Sequence, residues 1–257
     1  DSLALLSDAG HNLSDVISLV LALLAFRMAK VKPNSRYTYG YKKSTVLVSL
    51  LNAIILLVAV GIILAESIEK LRNPQPIAGG VIAWVAGVGI LINSFTAFLF
   101  LKDKERDLNI KGAYLHLMAD ALVSVGVVIS GVIISYTHWY IIDPIIGIAI
   151  AIVILVSTWN LLRDSLRLSL DGVPAGISAE KIRKLLLQVD GVREIHHLHI
   201  WALSTTQNAL TAHVVVASLE DGEAVKNRIK EILSEEHIPH ATLELETVAE
   251  CCTDRTD

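Results

Sequence analysis

Five apolar stretches decide what this chain can become. They lie at approximately 7–31, 43–71, 79–101, 109–136 and 141–167, and each reaches the ~20 residues that cross the hydrocarbon core of a bilayer as a helix. In hydrocarbon no water satisfies the backbone N–H and C=O groups of a segment, and a helix satisfies them internally. Composition agrees: 53% of the 257 residues are hydrophobic, 19% are charged and the mean hydropathy is +0.55. That mean conceals a division, because beyond about residue 170 the charge density is that of a soluble domain. The expected architecture is an α-helical membrane bundle over residues 1–170, a small α+β domain at 172–250 and a tail at 251–257.

The connections give the bundle a direction, because Lys and Arg in short loops mark the cytoplasmic side. The first connection carries Arg27, Lys30, Lys32, Arg36, Lys42 and Lys43, and the third carries Lys102, Lys104, Arg106 and Lys111. The fourth, THWYIID, has neither Lys nor Arg and fits the outer side, with Trp139 and Tyr140 as interfacial anchors. Lys70 and Arg72 dissent mildly. The majority pattern puts the C-terminal domain in the cytoplasm. It also leaves the N-terminus outside with no signal sequence to carry it there. Because the chain starts at DSLALLSDAG without a methionine, a sixth span before residue 1 is expected, which returns both termini to the cytoplasm.

Two spans share one pattern, His11 with Asp15 in HNLSD and His116 with Asp120 in HLMAD. Residues four apart on a helix lie on one face, so each span offers an imidazole and a carboxylate to the same point. Two such helices facing each other supply a tetrahedral nitrogen and oxygen site, best suited to zinc. A single His in a span is as readily a partner for a neighbouring helix, and an Asp can cap a helix, as Ser7 and Asp8 can near a helix start. Ionisable groups inside a membrane are functional by default, however, and four in this arrangement outweigh that alternative. Asn12 and Ser124 are candidate supporting partners of the quartet. Asn52 and Asn93 read as interhelical hydrogen-bonding residues.

In the soluble part, 178–189 has amphipathic helical spacing at Ile182, Leu185, Leu186 and Val189. Residues 192–203 and 209–218 read as strands, 221–236 as a second helix and 241–248 as a last strand, an αββαβ order. Six of the nine histidines lie here. Strict strand alternation places His197, His199 and Trp201 on one face and His196 on the other.

The HNLSD and HLMAD pair, the SLALLSDAGHNLSD entry, the RYTYGYKK connection and the HHLHIW segment together resemble the cation diffusion facilitator family of zinc and cobalt transporters, from residue 1 to about 250. The resemblance implies a homodimeric secondary transporter that exports cytoplasmic zinc, or cadmium or cobalt, in exchange for protons. The expected setting is a bacterial cytoplasmic membrane, with lipid, Zn2+ and H+ as partners. No nucleic acid and no organic cofactor are expected. The formal net charge of -4 fits this, as does the lack of a basic patch with interleaved aromatics. The resemblance also implies a ferredoxin-like cytoplasmic domain.

Imidazole binds metal only when neutral and carboxylate only when ionised. A site of His11, Asp15, His116 and Asp120 can therefore hold either a metal ion or protons, and competition couples the two fluxes. The histidines are the proton carriers near neutral pH, and the aspartates compensate the dication. Rocking of helix groups around a fixed site supplies alternating access.

The resemblance places further ligands at His196, His213 and the acidic residues Glu244 or Glu246, with His240 as another candidate, so that zinc between two such domains regulates transport. For His199 a core or interface role is favoured. Lys43 and Asp171 match a charge interlock that holds the family dimer together at the membrane surface; otherwise Lys43 is one more positive-inside residue and Asp171 caps the following turn. Cys251 and Cys252 are either part of a merely polar tail or a pair of soft thiolate ligands.

Some family features are missing. Certain relatives bind zinc through histidines in the connection before the 43–71 span, where Tyr37 and Tyr41 stand here, so no metal is expected in that loop. Certain bacterial relatives carry Asp where His11 stands, and the histidine version goes with zinc preference. The segment KDKERDLN is short and lacks histidine, in keeping with a prokaryotic protein. Two other functional classes remain in view. A metal-dependent intramembrane hydrolase lacks its HExxH pattern here, whereas a metal channel or sensor without proton coupling shares the same ligands.

Overall fold

The computed structural model describes residues 17–73 and 79–247. Its elements are α1 (Ile17–Ala29), α2 (Ser44–Arg72), α3 (Gly79–Phe100), α4 (Leu108–Thr137), α5 (Ile142–Ser169), α6 (Ala179–Leu187), β1 (Val192–Ala202), β2 (Asn208–Val216), α7 (Gly222–Glu235) and β3 (His240–Thr247). They fall into two units, one holding α1 up to Met28 with Thr45–Ser165, the other holding Ala29–Ser44 with the chain from Leu166 onward.

In the first unit α2, α4 and α5 are each long and apolar enough to cross a membrane, while Ile17–Ala29 and Ala86–Phe100 are shorter apolar stretches. The helices are apolar outward and partly polar inward. On α2, Thr45, Ser49, Asn52, Leu56 and Val60 recur at helical spacing on the buried face, whereas Leu47, Leu51, Ile54, Val58 and Ile62 are exposed. Lipid solvates such an outer face as well as a protein core does, so small and hydrogen-bonding residues make the helix contacts instead. Ser49 Oγ lies 2.7 Å from Ser165 Oγ of α5, and Asn109 Nδ2 of α4 donates to the Thr45 carbonyl of α2 at 3.0 Å.

Asp107 caps α4 by accepting from the Asn109 N–H at 2.7 Å, which satisfies one of the amides orphaned at a helix start. Gly126 brings α4 and α5 close together: a Cβ there would stand 2.5 Å from Ile150 Cδ1. Lys111 pairs with Asp164 at 3.2 Å. The dissenting Lys70 pairs with Asp143 at 3.3 Å, and Ser130 Oγ donates to the same carboxylate at 2.8 Å.

In the second unit three strands lie in the order β1-β2-β3, β1 antiparallel and β2 parallel to its neighbour β3. Helices α6 and α7 cover one face. Ile182 and Leu186 from α6, Val225, Ile229 and Leu233 from α7, and Leu210, Ala212, Val214 and Val216 from β2 form one buried cluster. The observed αββαβ order and its boundaries agree with the sequence to within about two residues. The other sheet face carries no helix among the described residues of this unit, and there the polar side chains of the strands gather.

Candidate functional site

His116 and Asp120 lie one helical turn apart on α4, with Nε2 and Oδ2 3.8 Å apart and both side chains mostly buried. They open onto a cavity of about 120 Å3 that α1 to α4 line together, with Ser18, Asn52, Asn93 and Gly112 among its other walls. A water needs roughly 10–15 Å3 of such space, so a cation with part of its hydration shell fits. Among the described lining residues Asp120 is the one carboxylate and no Lys or Arg is present, so a dication finds compensation and no repulsion there. His11 and Asp15 lie outside the described residues, as do Ser7, Asp8, Asn12, Cys251 and Cys252. Ser124 faces Gly89 of α3, 3.4 Å from where a Cβ would stand. Asn52 differs from expectation at its amide oxygen. Asn52 Oδ1 is buried with no hydrogen-bond partner among the described residues, so it does not tie α2 to another helix through that oxygen.

The second cluster lies on the helix-free sheet face. Strand pairing sets His196 opposite His213, and His213 opposite Glu244. His213 Nδ1 lies 2.5 Å from Glu246 Oε1, and its Nε2 lies 3.4 Å from Glu244 Oε2. One donor atom each from His196, His213 and Glu246 lies within 4.8 Å of the others. Zinc ligands at 2.0–2.2 Å from the ion stand about 3.3 Å apart in a tetrahedron, so small side-chain adjustments complete three of four positions. His196 is 5% exposed, yet neither ring nitrogen has a hydrogen-bond partner among the described residues. Its Nε2 is 3.4 Å from Glu246 Oε2, but misaligned for a hydrogen bond. Buried, unpartnered nitrogen lone pairs beside a carboxylate suit a cation.

Simple alternation had placed His196 on the face opposite His197, His199 and Trp201, and a β-bulge overturns this. The ladder pairs His196 with His213 but His199 with Thr211, so His197 and Leu198 share one partner position, and His197 takes φ +48°. The slip resets parity, so that Ile195, Leu198 and Ile200 all reach the core. His196 and His199 therefore share the helix-free face, and the His197 ring meets those of His196 and His213 at 5.3 and 5.0 Å. His199 is exposed rather than part of the core. His240 stands apart from the cluster, edge-on to Tyr39 with ring centroids 5.5 Å apart.

Lys43 Nζ donates to Asp171 Oδ1 at 2.5 Å and to the Ala202 carbonyl at 3.1 Å. The observed pair lies within one chain. Asp171 itself takes φ +56°, and Tyr37 and Tyr41 pack ring against ring at 4.7 Å.

Residues 1–168 match the cation efflux transmembrane domain, and residues 174–248 match the cation efflux protein cytoplasmic domain. The chain belongs to the cation efflux family. Like the family it is a membrane-embedded metal cation efflux transporter and not an enzyme. This cation efflux protein is 36% identical over 254 residues to the cadmium, cobalt and zinc/H(+)-K(+) antiporter of Bacillus subtilis, covering 97% of the present chain and 82% of that relative. It is 38% identical over 248 residues to the zinc transporter ZitB of Escherichia coli, covering 95% and 79%. It is 36% identical over 247 residues to the metal cation efflux system protein CzcD of Cupriavidus metallidurans, covering 95% and 78%. The solved metal-bound C-terminal domain of the CzcD transporter is 32% identical over 27% of this chain and 99% of that domain, with a TM-score of 0.26.

Proposed function

We propose that this transporter moves Zn2+ out of the cytoplasm in exchange for protons, as a homodimer in a bacterial cytoplasmic membrane. The observation that carries this reading is the cavity that His116 and Asp120 share inside an apolar helix bundle. The wall residues of α1 extend the reading to the first motif by helical spacing. Asp15 precedes Ser18 by three residues and Leu19 by four, and His11 precedes Ser18 by seven, all same-face intervals.

Binding a cation here requires neutral imidazoles and ionised carboxylates. Arrival of the metal expels protons, and protons taken from the outer side release the metal. The buried His196, His213 and Glu246 cluster, with Glu244 beside it, is the proposed regulatory site. Zinc held there orders the sheet face and favours the dimer, for which Lys43 and Asp171 form the proposed interlock.

Calorimetric titration of the full chain with zinc, cadmium and cobalt tests the transport site. Two zinc affinities are expected in the wild type, and Asp120→Ala should lose one of them while keeping the cytoplasmic one. Two unchanged affinities in that variant contradict the assignment.

A further inference from the structure

Asn52 is a polar group that the quartet does not use and that helix packing does not explain. It sits on the buried face of α2, 5% exposed, and its Oδ1 has no hydrogen-bond partner among the described residues. It lines the same cavity as His116 and Asp120. An unsatisfied amide oxygen in such a place needs a reason.

Its level along the cavity follows from α4. Gly112, His116 and Asp120 recur every four residues on one face, and a Cβ at Gly112 would stand 3.9 Å from Asn52 Cβ. Asn52 therefore lies near the level of Gly112, about 6 Å nearer the start of α4 than His116. The Lys and Arg content of the connection before α4 assigns that end to the cytoplasm.

Resting on the transport-site reading above, we infer that Asn52 is a loading residue. Its amide oxygen is the neutral oxygen that a cytoplasmic divalent cation meets, directly or through a bound water, before it reaches His116 and Asp120. A neutral oxygen suits a transit position because it replaces a hydration contact without adding the charge that would trap the ion. Gly112 leaves the room that this approach needs.

Zinc uptake by the full chain in proteoliposomes tests the inference, with Asn52→Leu, Asn52→Asp and Asp120→Ala compared with wild type. Asn52→Leu should raise the zinc KM by about 10-fold, at the low end of losses for supporting residues at metal sites, with kcat within about twofold, the pattern of a lost binding contact. Its thermal unfolding without zinc should be unchanged or higher, since an orphaned polar group is gone. Asn52→Asp keeps the side-chain shape and should lower both KM and kcat by retaining the ion. A structural role predicts instead a lower unfolding temperature for Asn52→Leu and an unchanged KM in both variants, which overturns the inference. If the Asn52 variants match wild type while Asp120→Ala is inactive, the loading role alone fails. If Asp120→Ala transports normally, the transport-site reading fails and takes the loading role with it.

Discussion

His213 reaches diagonally across the parallel β2–β3 ladder to Glu246, Nδ1 to Oε1 at 2.5 Å, and turns its Nε2 toward Glu244. One imidazole is thereby held between two carboxylates on the face where His196 lies buried with no hydrogen-bond partner among the described residues. A metal bound at this point would couple to the stability of the sheet. Zinc in excess should raise the unfolding temperature of the cytoplasmic unit, because a ligand that binds only the folded state stabilises it by mass action. Glu246→Gln should remove most of that rise, reducing zinc affinity about 10- to 100-fold. Differential scanning fluorimetry with and without a chelator reads both, and a full zinc shift in the variant contradicts the site.

Lys43 and Asp171 are exposed enough for water to screen them, with side-chain exposures of 35% and 67%. Asp171→Asn should therefore lower the stability of the cytoplasmic unit by no more than about 1 kcal/mol. Asp171→Gly should offset even that loss, because φ +56° disfavours residues with a Cβ. Chemical denaturation measures this. A loss of several kcal/mol in both variants would show that the pair carries more of the fold than its exposure allows.

Between α4 and α5 the packing leaves no room at Gly126, where an added Cβ meets Ile150 Cδ1 at 2.5 Å and Ile146 Cγ2 at 3.0 Å. Gly126→Val should destabilise the membrane unit by about 1–3 kcal/mol through overpacking. Gly131→Val, on the same helix with nothing packed within 4 Å of where its Cβ would stand, is the matched control. Equal unfolding temperatures for the two variants in detergent would contradict the close approach.

Inside the cytoplasmic core, Ile229 and Leu233 of α7 are fully buried against β2. Ile229→Ala should cost about 2–5 kcal/mol, the transfer loss plus the cavity left behind. Urea unfolding gives the number, and a cost below about 1 kcal/mol would mean that α7 is not seated as described.

Much of this was legible because hydrophobic periodicity reports burial directly. The starts and ends of α2, α4 and α5 follow the apolar runs, and the αββαβ order follows the change from helical to strand spacing. The bulge at His197 was missed because a rule of strict alternation has no place for an extra residue. Its signal was nevertheless present in Ile195, Leu198 and Ile200, whose spacing of three and then two cannot fit one face of a regular strand. From sequence Asn52 reads as interhelical glue, because a polar residue in a span usually finds a partner. Only the packed helices show its oxygen without one among the described residues, in the wall of the cavity that His116 and Asp120 share.

The central claim is that one site exchanges zinc for protons. Imidazole binds metal only when neutral, so zinc affinity should fall as the pH is lowered and be restored as it is raised. The most direct measurement loads proteoliposomes of the full chain with a zinc-sensitive dye and imposes a pH gradient at constant zinc. The expected result is uptake that speeds up when the lumen is made acidic, zinc entry matched by a rise in luminal pH, and neither in Asp120→Ala. Zinc entry at the same rate with and without the gradient, leaving luminal pH unchanged, would contradict exchange and leave a metal channel in its place.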